Sequence, residues 1–321
     1  MGDMSPSRVA IILMAHGSPN TLDDVEPFLS HIMKERKPSP EVMAEIRERY
    51  RLIGGKSPLL EITQQQAKAL EDLLNAGEVQ FKVYIGMRHW DPFIKDTVQE
   101  IIADGAECLI ALSLAPQNSK LSVGAYIETL KQALSEAGSR LPMTAVQSWC
   151  DQPLLLDAFG EQLKEALDTY SEEVRSSVQI LFTAHSLPEY ILKEGDPYPD
   201  EVVATVTGVS ERPALSLSKQ PWRFAYQSQG LRPGKWLGPS VEEVIHEMAE
   251  KKEKHLLVVP IGFVSDHVEI LYDVDILYKE IAAKAGIELR RPQSLNTHPL
   301  FIRSLAEVVL SNLSPSFVSD R

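Results

Sequence analysis

The feature that most constrains the fold is a unit that occurs twice. Val9-Ala10-Ile11-Ile12-Leu13-Met14 runs into Ala15-His16-Gly17-Ser18-Pro19, and Ile180-Leu181-Phe182-Thr183 runs into Ala184-His185-Ser186-Leu187-Pro188. A short apolar run ended by polar punctuation reads as a strand buried on both faces, as in a parallel sheet. The echo continues outward. Residues 84–117 read as strand, loop with Trp90 and Pro92, helix, strand and Pro116. Residues 225–260 repeat that order with Trp236, Pro239 and Pro260. A shared order over such lengths predicts two similar lobes.

Helices are expected at 22–33, 41–53, 59–75, 93–104, 123–137, 154–170, 241–251, 268–283 and 299–313. Strands are expected at 9–14, 81–85, 108–114, 144–147, 179–182, 223–226 and 256–259. The stretch 190–221 is punctuated by Pro and Gly and reads as mostly loop, with a short helix near 200–207. Alternating β and α at these lengths predicts an α/β fold: each lobe a parallel sheet flanked by helices, with a cleft between. The expected division is an N-terminal lobe over 8–150, a C-terminal lobe over 151–313 and a tail over 314–321.

Composition removes several classes. Hydrophobic content of 44% with 24% charged residues belongs to a folded globular protein. No apolar run approaches the ~20 residues that span a bilayer, and residues 1–8 lack a signal-peptide pattern, so a cytoplasmic protein without stable membrane insertion is expected. With 45 acids against 32 bases, the net charge of −13 argues against nucleic acid as the main partner. One basic cluster stands out: Lys34, Arg36 and Lys37, followed by Arg47, Arg49 and Arg51. The only cysteines, Cys108 and Cys150, are too few for a four-cysteine iron–sulfur cluster and read as buried thiols. The absence of a long apolar stripe points to a monomer.

Ligands of open α/β sheets bind outside the carboxyl ends of the strands. His185 falls there, directly after its strand, in a turn closed by Pro188. After the later run Leu256-Leu257-Val258-Val259-Pro260 come Asp266, His267, Glu269 and Asp273. Steps of three and four place Asp266, Glu269 and Asp273 on one face of the expected helix. Acids at a helix start favour the dipole by themselves, but three of them beside a histidine exceed what capping needs. Histidine with carboxylates, and no cysteine pair, does not make a closed structural zinc site. It fits a transiently held divalent iron, cobalt or nickel, or an acid–base pair.

Here a resemblance becomes specific. Thr183-Ala184-His185-Ser186-Leu187-Pro188, Gly195-Asp196-Pro197-Tyr198-Pro199, Tyr226-Gln227-Ser228, Trp236-Leu237-Gly238-Pro239 and Pro260-Ile261-Gly262-Phe263-Val264-Ser265-Asp266-His267-Val268-Glu269 occur in the order seen in ferrochelatases. Those enzymes insert ferrous iron into a porphyrin in haem synthesis, and the similarity runs from about Ile11 to Leu313. The segment from Arg49 to Leu59 resembles the soluble bacterial subgroup that acts on coproporphyrin III.

The resemblance implies that His185 and Glu269 form the catalytic and metal-handling pair, with Asp273 and Asp266 relaying protons or metal. It implies that Arg49, Tyr50, Ser57 and Tyr126 contact the porphyrin, with Lys34 replacing part of the subgroup's paired arginines, whose positions here are Met33 and Lys34. Where the subgroup has a tyrosine able to ligate product iron, this chain has His16. Leu277 stands in place of a second acid one turn beyond Asp273. Ferrous iron is implied as the substrate metal, without an iron–sulfur cluster. The implied partners are the porphyrin, an iron donor and a downstream haem-synthesis enzyme. A protoporphyrin IX ferrochelatase, a sirohydrochlorin or cobalt chelatase, and a non-catalytic haem or iron carrier stay open as alternatives.

Overall fold

Both runs that end in Ala-His become inner strands of a sheet. The structure, a computed structural model, describes residues 8–33, 38–75, 79–212, 222–230 and 234–313. Its strands are β1 (Arg8–Ala15), β2 (Gln80–Met87), β3 (Cys108–Ser113), β4 (Met143–Ala145), β5 (Gln179–His185), β6 (Trp222–Gln227), β7 (His255–Pro260) and β8 (Glu288–Arg290). They form two four-stranded sheets, in the orders β2-β1-β3-β4 and β6-β5-β7-β8. All pairings are parallel. The sequence repeat is therefore a repeat of topology. Ile11, Ile12, Leu13 and Met14, like Ile180, Leu181 and Phe182, are wholly buried, because helices cover both faces of each sheet.

The helices are α1 (Val25–Met33), α2 (Pro40–Leu52), α3 (Leu59–Leu74), α4 (Ile94–Ala103), α5 (Val123–Glu136), α6 (Pro153–Asp168), α7 (Glu172–Arg175), α8 (Tyr198–Ser210), α9 (Val241–Glu250), α10 (Lys279–Lys284) and α11 (Pro299–Ser311). Their starts follow local chemistry. Ser39 Oγ accepts from Val42 N at 3.3 Å with Pro40 in the first turn, and Ser240 and Glu243 form a reciprocal capping box before α9. The largest core cluster runs through both halves, joining Ile11 and Leu70 to Phe182, Val259 and Phe301. The last helix, α11, lies across α3 and α6 and ties the halves together.

Besides the short unexpected helix α7, three elements differ from expectation. The eighth strand, β8, has only three residues and a charged–apolar–charged pattern too short to read alone; pairing with β7 creates it. Helix α8 begins at Tyr198 and ends at Ser210, longer than its punctuated surroundings suggest, because Val202, Val206 and Val209 bury one face. Residues 268–283 are not one α-helix. Glu269–Tyr278 is π-helical and passes into α10. Gln227 Nε2 donates to the Glu269 carbonyl at 3.1 Å, and the Tyr278 hydroxyl accepts from Ser228 N at 3.3 Å. These tertiary bonds hold both ends of the wide-turn segment, and a side chain that takes a carbonyl from the helical ladder is a recognised cause of such distortion.

Candidate active site

The carboxyl ends of β1 and β5 meet at a cleft between the lobes. The turn after β1 is made by Gly17 at φ +87°, where an added Cβ would lie 2.9 Å from Trp90 N. Only glycine accepts that conformation without strain, and the turn delivers His16. At the end of β5, Gly262 lets the next loop run against the strand; a Cβ there would lie 2.8 Å from Ala184 Cβ. That close approach brings the segment with His267 and Glu269 under His185.

His185 and Glu269 are in contact: Nε2 lies 3.3 Å from Oε1. The other imidazole nitrogen, Nδ1, is bonded to the Ser186 carbonyl, which accepts its proton and turns Nε2 toward the carboxylate. Burial pulls the His185 pKa down, but the Glu269 charge and hydrogen bond outweigh it and hold the pKa above 6.5. Burial pushes Glu269 up, yet His185 and then His267 hold it well below the usual carboxylate value. The two shifts run in opposite directions, so a proton shared by the pair is held on the imidazole rather than on the carboxylate. A metal binding this nitrogen competes with that proton.

Glu269 has a second histidine neighbour. His267 Nε2 lies 3.4 Å from Glu269 Oε2, and His267 Nδ1 bonds the Ser265 carbonyl at 3.0 Å. One wide turn on, Asp273 accepts a short hydrogen bond from Ser228 Oγ and lies 3.8 Å from Arg49 Nη1. Ser228 is left-handed, at φ 58°. Gln227 ties this arrangement together, accepting from Thr183 Oγ1 at 2.6 Å and donating to the Glu269 carbonyl.

Burial, then the Glu269 charge, pushes Asp273 up from 3.8 to about 6. The folded state thus binds the proton more tightly than the unfolded chain. Stability falls as pH rises from about 4 through about 6, by up to about 3 kcal/mol. Asp273→Asn keeps an acceptor for Ser228 and removes that charge. It should raise Tm at pH 8 and leave Tm near pH 4 little changed; an equal shift at both pH values would show that Asp273 ionisation carries no such cost.

Asp266 does not join this group. Its Oδ1 accepts from Ser294 Oγ at 2.7 Å and pairs with Arg291 Nη2 at 3.1 Å, while Oδ2 accepts from Asn296 Nδ2 at 2.9 Å. It precedes the π segment, so the helical spacing that put it on one face with Glu269 and Asp273 does not apply, and its oxygens bond Ser294, Arg291 and Asn296.

His16 faces the pair from the opposite lobe. Its Nδ1 bonds the Gly17 carbonyl at 3.0 Å, and its ring tilts against His89 at 4.6 Å, with His31 5.7 Å beyond. The ring is reached by solvent through the cleft yet surrounded by protein. That surrounding mass lowers its pKa, against smaller upward pulls from the Gly17 carbonyl and Glu269.

Among the expected porphyrin contacts, Tyr50 on α2 and Tyr126 on α5 are buried in the wall of the N-terminal half. Burial, the main cause, moves Tyr126 up to about 12, so both phenols stay protonated donors. Arg88 lies over the Tyr126 ring at 5.9 Å, a neighbour that sequence reading did not single out. Ser57 is buried and its hydroxyl accepts from Leu59 N at 3.3 Å, opening α3. Arg49 binds Glu45 at 2.6 Å and lies over Tyr272 at 5.1 Å; its buried Nε has no hydrogen-bond partner among the described residues. Lys34, with Arg36 and Lys37, lies outside the described residues. Gln227 and Ser228 are neighbours of the pair that sequence reading left without a role, although Tyr226-Gln227-Ser228 was visible as a motif, whereas His267 was already singled out with the acids around it.

Among the described residues, no group of three or more His, Cys, Asp or Glu is disposed to hold a metal. None of the described helices is long and apolar enough to cross a membrane. Two lobes built on parallel sheets, with an imidazole–carboxylate pair in the cleft, define a chelatase-like protein. In fold it resembles the SirB structure from Bacillus subtilis with Fe3+ (TM-score 0.58, 14% identity, covering 98% of each chain). The cobalt complex of a sirohydrochlorin chelatase from Bacillus subtilis subspecies spizizenii is similar (TM-score 0.54, 11% identity, covering 95% of each chain). The ferrochelatase family model matches residues 8–313. The chain is 40% identical over 304 residues to a ferrochelatase from Herpetosiphon aurantiacus, covering 94% of this chain and 98% of that one. It is 39% identical over 313 residues to a coproporphyrin III ferrochelatase from Bacillus subtilis, covering 97% and 99%. This chain belongs to the ferrochelatase family, and is a porphyrin metal chelatase of haem biosynthesis with ferrous iron as its substrate metal.

Proposed function

We propose that the porphyrin is coproporphyrin III, that His185 and Glu269 perform the insertion, and that His16 addresses the opposite face of the macrocycle. The observation that carries the site reading is the 3.3 Å contact between His185 Nε2 and Glu269 Oε1. Insertion exchanges two pyrrole N–H protons for one divalent cation, so the site must take protons and deliver a metal. An imidazole and a carboxylate can do both in turn. Two donors hold a cation weakly enough for four pyrrole nitrogens to take it. Glu269 then passes protons toward Asp273 and Ser228, whose short bond lies one turn further from the pair.

Coproporphyrin III carries four propionates, and the N-terminal wall offers matching donors. Tyr50 and Tyr126 keep their phenolic protons, and the Nε of Arg49 has no hydrogen-bond partner among the described residues. Arginine suits such a role because its fork matches carboxylate geometry. Relatives named coproporphyrin III ferrochelatase, 39% identical over nearly the whole chain, support the same choice. Relatives at 40% identity are named ferrochelatase with no porphyrin specified, so protoporphyrin IX is the competing substrate to test.

Anaerobic ferrous insertion with coproporphyrin III and protoporphyrin IX side by side tests the substrate. The expected result is a kcat/KM at least about tenfold higher for coproporphyrin, about 1.4 kcal/mol of preferential binding in the transition state. Equal rates, or a preference for protoporphyrin, would overturn the choice. In the same assay His16→Tyr should shift the Soret band of bound product; an unshifted band would remove His16 from contact with the iron.

A further inference from the structure

We infer that Gln66 is a positioning residue for the metal side of the cleft, acting from the opposite lobe through Ser265 and His267. The inference rests on the reading of Glu269 as a reacting group. Gln66 lies on α3 and is fully buried. Its Nε2 donates to Ser265 Oγ at 2.8 Å and to the Asn296 carbonyl at 2.8 Å. Its Oε1 is buried too and has no hydrogen-bond partner among the described residues. A buried amide that leaves its acceptor unmet is costly to keep. Its two donors are what this position uses.

The two acceptors bracket the turn that delivers His267 and Glu269. Asn296 is left-handed, at φ 43°. It donates its own N–H to the Val264 carbonyl at 2.9 Å and grips Asp266 twice, accepting from the backbone N–H and donating to the carboxylate, each at 2.9 Å. A left-handed residue other than glycine persists when its surroundings over-determine it. Ser265, held by Gln66 through its hydroxyl, presents its carbonyl to His267 Nδ1 at 3.0 Å. That bond aims His267 Nε2 at Glu269 Oε2, 3.4 Å away. A relay of side-chain contacts and one backbone carbonyl therefore runs from one lobe to the carboxylate of the other. This also explains what Asp266 does: with Asn296 it braces the turn.

Helix α3 gives the brace a second meaning. Ser57, one of the expected porphyrin contacts, caps its first residue, Leu59, and the helix carries Gln66 further along. At 1.5 Å rise per residue Gln66 lies roughly 10 Å along the helix from Leu59. Seating of the porphyrin against the start of α3 is thereby linked to the placement of Glu269 under the macrocycle.

The test uses Gln66→Met, which keeps side-chain bulk and removes both donors, and Ser265→Ala, which removes the acceptor with little change in packing. Should Gln66→Met fail to fold, Ser265→Ala carries the test alone. Zinc insertion into coproporphyrin III is followed by fluorescence for each variant, for His267→Gln and for the double variants. The expected result is a fall in kcat of about tenfold to a hundredfold, with the KM for porphyrin changed by less than about twofold. Added to His267→Gln, either change should cost little more, because all act through one imidazole. The 15N ring signals of His267, identified by their loss in His267→Gln, should move in both single variants. Unchanged kcat, effects that multiply with His267→Gln, or unmoved ring signals with only a lower Tm would overturn the inference. Glu269→Gln serves as the reference: normal turnover there sinks the Glu269 reading and this inference with it, whereas an inactive Glu269→Gln beside fully active Gln66→Met and Ser265→Ala sinks this inference alone.

Discussion

Glu269→Gln lowers kcat for ferrous insertion by about 10²–10⁴-fold, the usual contribution of a positioned proton-transfer group, while porphyrin binding stays within about threefold of the parent. The amide preserves size and can still meet His185 across the 3.3 Å contact. It cannot take a proton, and it removes the charge that holds the His185 pKa above 6.5 against burial. Two effects then oppose each other. With its pKa lowered, the imidazole is freer to accept metal, but no anion remains to attract the cation or pass the proton on. The second effect dominates, because a divalent ion brought into a protein-walled cleft needs a compensating charge. Single-turnover absorbance under anaerobic conditions measures the rate, and quenching of porphyrin fluorescence measures binding. Turnover within a few-fold of the parent would take Glu269 out of the mechanism.

Phe301→Ala is the largest stability effect expected, about 3–5 kcal/mol as for large-to-small changes in a packed core. Phe301 is fully buried on α11 and stacks on Trp149 with ring centroids 6.2 Å apart. It sits in the cluster that runs through both halves, where α11 crosses α3 and α6. The cavity would open at the seam between lobes, so the loss should appear as a lower denaturant midpoint. Protein that remains folded at 25 °C should keep most of its kcat, since Phe301 packs in the apolar core on Trp149 while Glu269 pairs with His185. A change below about 1 kcal/mol would mean that the seam closes over the gap.

Much of this architecture was legible in the chain. The buried strands announced themselves because a strand covered on both faces has no polar positions to spend, as in Ile11 to Met14 and Ile180 to Phe182. His185 was findable for the same reason: the first polar side chain after such a run emerges at the sheet's carboxyl edge. Helix starts at Ser39 and Ser240 carried their caps in the sequence. The weakest elements were missed or misjudged. Three residues of β8 hold no periodicity, and α8 was masked by prolines and glycines around it.

What the sequence determined by itself was the doubling of an α/β unit, the placing of one histidine at each strand end, and the nearness of Glu269 and Asp273 along the chain. These depend on side chains close in sequence, whose alternation reports their own exposure. The tertiary structure alone decided that 269–278 winds as a π-helix, that Asp266 turns away to Arg291 and Asn296, and that Gln66 reaches Ser265 across 199 residues. Each of these is a contest for a hydrogen-bond partner that is distant in the chain. Such contests are settled only when folding has removed water as the alternative partner.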